Sequence, residues 1–173
     1  IAHHMGDGQI QPNESIVIDV WPKDGETGCY ADMTRTFVVG DPGDELRAWH
    51  AAVKESLDRS LAAIRSGADT REVYDASCEP VEAIGQPTQR TKEPGTVLED
   101  GFFHGLGHGV GLDVHEAPGF SMVSSGQLRA GDVVTVEPGI YRRGFGGIRL
   151  EDLVLVTGDG YENLTDFPYD LAP

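Results

Sequence analysis

Short apolar runs, each interrupted by a single polar residue, alternate along this chain with breaks rich in glycine and proline. Ser15 to Trp21 (SIVIDVW) is apolar except for one Asp and is bounded by Pro12-Asn13 and Pro22, which predicts a short buried strand. Lys23 to Gly28 (KDGETG) carries turn residues, and Cys29 to Val39 is rich in Thr, Val and aromatics, so the two runs predict an antiparallel hairpin. After Gly40–Gly43 a helix is expected over about 44–66, because Leu46, Ala52, Val53, Leu57, Leu61 and Ile64 recur mainly at steps of three and four. Gly67 closes it. Asp69 with Glu72 three residues later resembles a capping box for a second, shorter helix running towards Gly85, which Pro80 would kink or end early.

Residues 86–100 are polar, contain Pro87 and Pro94, and read as a loop, as does Gly119 to Ala130. The C-terminal part returns to β structure, with a glycine-rich stretch over 101–112 and strands expected over Asp132–Val136 and Ile148–Thr157. The whole is an α+β pattern with acid-bearing strands at each end and helices between them.

Composition narrows the function. The chain has 173 residues, enough for one domain with its own core. Against 29 acidic residues stand 13 basic ones, a net charge of −16 that excludes the basic footprint needed for nucleic acid or an anionic membrane surface. No apolar run is long enough to span a bilayer. Cys29 and Cys78 form no C-x-x-C motif and are expected to be reduced thiols of a cytoplasmic protein. Glycine, at 23 residues, is about twice as frequent as the ~7% of average usage.

Much of that glycine lies in one place. From His104 to Leu112 (HGLGHGVGL) every odd position is Gly. If the segment is extended, His104 and His108 share one face and bare backbone forms the other. His115 follows closely, whereas His50 sits on the expected first helix and reads as a packing or surface residue. Four acids lie in strand contexts: Asp19, Asp32, Glu137 and Glu151. Carboxylates are costly to bury unless paired, hydrogen-bonded or metal-bound, and an oxygen-rich set with one imidazole suits Mn²⁺, Zn²⁺ or Co²⁺.

The ordered set Asp19, Asp32, His108, Glu137, Glu151 resembles the five-ligand dinuclear site of the M24 metallopeptidases, the pita-bread family of methionine aminopeptidases, Xaa-Pro aminopeptidases and prolidases. DMTRTF (32–37), HGLGHGVGLDVHEAP (104–118), VEPGIY (136–141) and GIRLED (147–152) carry the resemblance. It implies an α+β pita-bread fold, a curved antiparallel sheet covered by helices and incomplete at its N-terminus. Residues 1–173 are then the C-terminal major part of a catalytic domain. It implies two divalent metal ions, Mn before Zn or Co, with Asp32 and Glu151 shared, Asp19 on one ion, and His108 and Glu137 on the other. A metal-bridging hydroxide would attack the scissile carbonyl, with His115 stabilising the oxyanion and also contacting substrate. His104 and Glu137 would complete the catalytic groups, and His4 would bind substrate. Arg149 shares strand parity with Glu151 and is expected to face the site, binding substrate or orienting a carboxylate.

Two departures from the family pattern stand out. Asp19 and Asp32 are further apart in sequence than in the family's Asp-x-Gly hairpin, and Trp21-Pro22 stand where small residues are usual. Helices and a strand that precede the first Asp segment in the family are largely missing. The GLDVHEAP wording is similar to the proline-peptidase branch, which implies cleavage before proline in a peptide or dipeptide and a homodimer or larger assembly. Methionine-aminopeptidase specificity and a non-catalytic peptide- or protein-binding module are the alternatives.

Overall fold

The structure is a computed structural model that describes residue 6 and residues 8–172; the expectation for His4 lies outside the described residues. The predicted hairpin is present. β1 (Ser15–Val20) pairs antiparallel with β2 (Met33–Val38), and Asp19 lies opposite Thr34. β2 is shorter than the run over 29–39 because the approach to it is held elsewhere. Tyr30 N–H donates to Gly111 O (2.9 Å), stitching the hairpin loop to the glycine segment.

The helices are α1 (Gly43–Ala63) and α2 (Thr70–Ala83), which pack on each other and bury Trp49, Val53, Leu57 and Leu61 of α1 and Val73, Tyr74, Cys78 and Val81 of α2 in the core. Asp69 caps α2 by accepting from Arg71 N–H (2.8 Å). Pro80 neither ends nor shortens α2. It lies in the last turn, where its missing N–H removes only one helical bond and its ring is buried in the core.

The remaining strands form two sheets. In the larger, β3 (Gly107–Gly109), β4 (Glu116–Phe120), β5 (Val133–Val136), β8 (Asp152–Val156) and β9 (Tyr161–Asn163) are ordered β4-β3-β5-β8-β9 with antiparallel pairing. In the smaller, β6 (Gly139–Arg142) pairs with β7 (Gly146–Arg149). The single strand expected over Ile148–Thr157 is thus two strands in different sheets. The chain turns a corner at Leu150-Glu151, where Glu151 N–H donates to Thr34 O (3.0 Å) rather than continuing a ladder. β4 lies within a region read partly as loop. Its Pro118, which donates no N–H, is tolerated because β4 is an edge strand.

Arg35 of β2 braces this corner. Its five N–H bonds reach Thr34 O, Glu151 O, Asp152 Oδ1, Phe167 O and Pro168 O at 2.6–3.0 Å, while the side chain is buried.

The alternating glycines are explained by close backbone approach. A Cβ on Gly107 would sit within van der Waals reach of the Thr135 carbonyl of β5, and one on Gly109 would meet the Ala117 carbonyl of β4. The bare face of the segment is therefore pressed between two strands, leaving the alternate residues to point the other way. Gly119, by contrast, has open space around its Cβ position. Gly107→Ala is expected to destabilise the fold by about 1–3 kcal/mol, lowering Tm by roughly 2–9 °C. Gly119→Ala should stay within about 0.5 kcal/mol of the parent in the same denaturation experiment.

Candidate metal centre

The four strand-borne acids come together because each lies at or beside a strand end that points into one cavity. Asp19 is on β1, Asp32 just precedes β2, Glu137 follows β5 and Glu151 stands at the corner before β8. His108 enters from β3. All five line a cavity of about 420 Å³, together with His104, His115 and Trp21. Asp32, His108 and Glu151 each offer a ligand atom, and these atoms lie within 4.8 Å of one another.

Within the cluster, His108 Nε2 is 3.3 Å from Glu137 Oε1 and 3.8 Å from Asp32 Oδ2. Its Nδ1 lies 3.1 Å from Gly109 O, and its backbone N–H donates to Thr135 Oγ1 (3.1 Å). A proton on Nδ1 directed at that carbonyl leaves Nε2 as the cavity-facing nitrogen. Thr34 Oγ1 donates to Glu151 Oε2 (2.6 Å). Asp32 Oδ1 is buried and has no hydrogen-bond partner among the described residues.

The crowding shows in the ionisation of these groups. Burial, reinforced by the charges of Asp19 and Glu137, pushes the Asp32 carboxyl up to about 6. Burial and the neighbouring Glu137 and Asp32 charges raise Glu151 well above the usual carboxylate range. Glu137 goes the other way. Burial would raise it, but the hydrogen bond with His108 and the nearby imidazoles hold it below the ordinary value. For His108 burial opposes the charge, and the Glu137 and Asp32 carboxylates outweigh it, raising the imidazole.

A second layer fixes the first. Arg149, only 1% exposed, donates from Nη2 to Asp19 Oδ2 (2.6 Å), from Nη1 to Tyr141 Oη (3.0 Å) and from Nε to Thr34 Oγ1 (3.2 Å). It is not among the residues lining that cavity, but it lines the adjoining groove with Asp19 and Trp21. Tyr141 Oη also lies 3.0 Å from His104 Nε2, while His104 Nδ1 is 2.7 Å from Gly105 O. Because a guanidinium only donates, the Tyr141 hydroxyl is free to give its proton to His104. Burial raises that hydroxyl to about 12. His115 stacks its edge against the His108 ring, with centroids 4.3 Å apart. His50 packs elsewhere, with Nε2 2.7 Å from Tyr169 O.

Tyr141, Thr34 and Thr135 are the site-bordering residues that strand patterning does not single out. Thr34 shares parity with Asp32 and Tyr141 ends the VEPGIY segment, so position alone offered a signal; their hydrogen bonds depend on pairing between distant strands.

A model of metallopeptidase family M24 matches residues 1–158. The Xaa-Pro dipeptidase of Pyrococcus furiosus is 35% identical over 159 residues, covering 92% of this chain and 42% of that protein. Among solved structures, the prolidase from Pyrococcus horikoshii superposes with a TM-score of 0.84 at 32% identity, covering 96% of this chain and 44% of that one. The X-Pro aminopeptidase from Thermotoga maritima gives 0.82 at 33% identity, covering 94% and 42%. The fold is the α+β pita-bread type, and the chain belongs to metallopeptidase family M24. It spans about two fifths of the length of these relatives. No helix among the described residues is long and apolar enough to cross a membrane.

The raised Asp32 carboxyl gives a signed pH effect. Folding favours its protonated form, so its stabilising contribution is complete below the unfolded value near 4 and is lost as pH rises through about 6. In chelator-treated protein, Asp32→Asn should therefore be more stable than the parent at pH 7.5, by on the order of 1–3 kcal/mol. The gain should vanish at pH 4. Urea denaturation at the two pH values checks this, and an equal gain at both would contradict it.

Proposed function

We propose that this chain carries the catalytic site of a metal-dependent peptidase that hydrolyses the bond before proline. The observation that carries the reading is the buried, unpartnered Asp32 Oδ1 inside a cluster of four carboxylates and one imidazole. With only the Arg149 guanidinium on Asp19, such a set is short of positive charge, which divalent ions would supply. Mn²⁺ is the first choice, with Zn²⁺ or Co²⁺ as alternatives. Asp19, Asp32, His108, Glu137 and Glu151 would hold the ions. When bound, the ions would supply an acidified water for attack and a Lewis acid for the scissile carbonyl.

The surrounding residues take distinct roles. Arg149 orients Asp19, a role its 2.6 Å ion pair supports better than direct substrate contact. His115, edge-on to His108 at the cavity, donates to the carbonyl oxygen as it gains charge. Glu137, kept ionised by its imidazole neighbours, accepts a proton at its carboxylate. His104 takes up and returns a proton at Nε2, where the Tyr141 hydroxyl fixes its tautomer. Specificity for proline rests on the relatives named Xaa-Pro dipeptidase, prolidase and X-Pro aminopeptidase. Those relatives are more than twice as long, which supports reading residues 1–173 as the C-terminal major part of a larger catalytic domain.

Equilibrium dialysis against Mn²⁺ with elemental analysis should find about two ions per chain. Calorimetry in two buffers of different ionisation enthalpy should show proton release on binding at pH 5.5, as the Asp32 and Glu151 carboxyls ionise. His108→Ala should lower metal occupancy and cut hydrolysis of Gly-Pro and Xaa-Pro-Xaa peptides by at least about 100-fold. Protein that stays metal-free, or that cleaves Met-initiated peptides and leaves Xaa-Pro bonds intact, would sink the proposal.

A further inference from the structure

We infer that Trp21 is a specificity-determining residue of this site, an apolar wall that selects a bulky apolar residue ahead of proline. The inference rests on the peptidase reading above and adds to it the class of side chain preferred.

Trp21 stands two residues after Asp19, just past the end of β1, and lines the same cavity as Asp19, Asp32, His108 and Glu151. Pro22 follows with a locked φ and no N–H, and its carbonyl accepts from Ala31 N–H (2.9 Å) across the hairpin loop, which holds the backbone next to Trp21. The two tryptophans differ sharply in environment: Trp49 is 1% exposed in the core, whereas Trp21 is 51% exposed at the cavity. A large aromatic surface left in water beside charged groups gains free energy when an apolar group covers it.

The lining of the cavity is carboxylate, imidazole and bare glycine backbone, and Trp21 and Val114 are the apolar side chains facing it. A peptide whose scissile carbonyl lies over the polar floor must present its flanking side chains to these walls. Trp21 also borders a second, larger groove of about 920 Å³ that Ile16 and Ile18 line, so the wall stands where the cavity opens. The compact proline ring is common to every substrate of the proposed class, and the residue ahead of it is the one that varies.

The test compares kcat/KM for Gly-Pro, Leu-Pro and Phe-Pro in the metal-loaded parent, Trp21→Phe and Trp21→Ala. The alanine variant should lose about 10- to 100-fold of the parent's preference for Leu-Pro and Phe-Pro over Gly-Pro, and Trp21→Phe should keep most of it. An unchanged preference in Trp21→Ala overturns the inference. Should the alanine variant fold poorly, Trp21→Ser repeats the truncation with a residue suited to a turn, with the same expected ratio.

Tryptophan emission gives a second readout that does not depend on turnover. Leu-Pro should change the emission in stopped flow before hydrolysis, and Trp21→Phe, left with buried Trp49, should not respond. A response that persists in Trp21→Phe overturns the inference. If the parent cleaves none of the three dipeptides, the peptidase reading fails and emission still decides the wall. A Trp21-dependent response to Leu-Pro stronger than to Gly-Pro supports it, and no response to any dipeptide overturns it.

Discussion

Repulsion among four carboxylates in one half-dry cavity is the constraint on which the rest of this structure turns. Ordinary folding would separate such groups or send them to the surface. Here the chain brings them together from both ends of its sequence, and the cost appears as carboxyls that hold their protons beyond the usual range. Each carboxylate has its own support, and the supports differ in kind. Asp19 has a guanidinium, Glu137 an imidazole and Glu151 a threonine hydroxyl, while one oxygen of Asp32 is left bare among the described residues. A protein cation for every acid would have neutralised the cluster. The uneven support instead keeps it short of positive charge, which is what a hard divalent ion requires.

Much of this is legible in the sequence because the acids violate the pattern around them. Asp19 between Ile18 and Val20 is a polar residue in an apolar strand, and Glu137 stands at the end of a run of valine and threonine. α1 is equally legible from its three- and four-residue spacing, and the glycine alternation announces close backbone packing before the strands that cause it are known. What local pattern cannot show is where a continuous apolar run changes partner. Residues 148–157 read as one strand because both halves are buried, yet the chain passes from one sheet to another at Leu150-Glu151.

The same limit governs the second layer of the site. Parity places Arg149 and Glu151 on one face only if one strand carries both. With the corner between them, parity no longer decides the matter, and what the pairing of distant strands adds is the bond from Arg149 to the Asp19 carboxylate. The part Tyr141 plays is hidden from strand patterning for a related reason, although its place at the end of VEPGIY marked it. An aromatic residue in a short β segment reads as core, and only the pairing of β6 with β7 sets its hydroxyl between His104 and Arg149.

Arg35 extends this logic to the end of the described chain. All five of its N–H groups are engaged, two of them by the carbonyls of Phe167 and Pro168. The C-terminal segment is therefore a strut bearing on the same guanidinium that grips the Glu151 carbonyl. Strip away that strut and two buried donors lose their acceptors, so the corner carrying Glu151 would loosen although no residue of the cavity had been touched. Lysine, with three donors on one nitrogen, cannot match the five spread donors used here, so the planar fork at position 35 ties the geometry of the tail to that of the cluster.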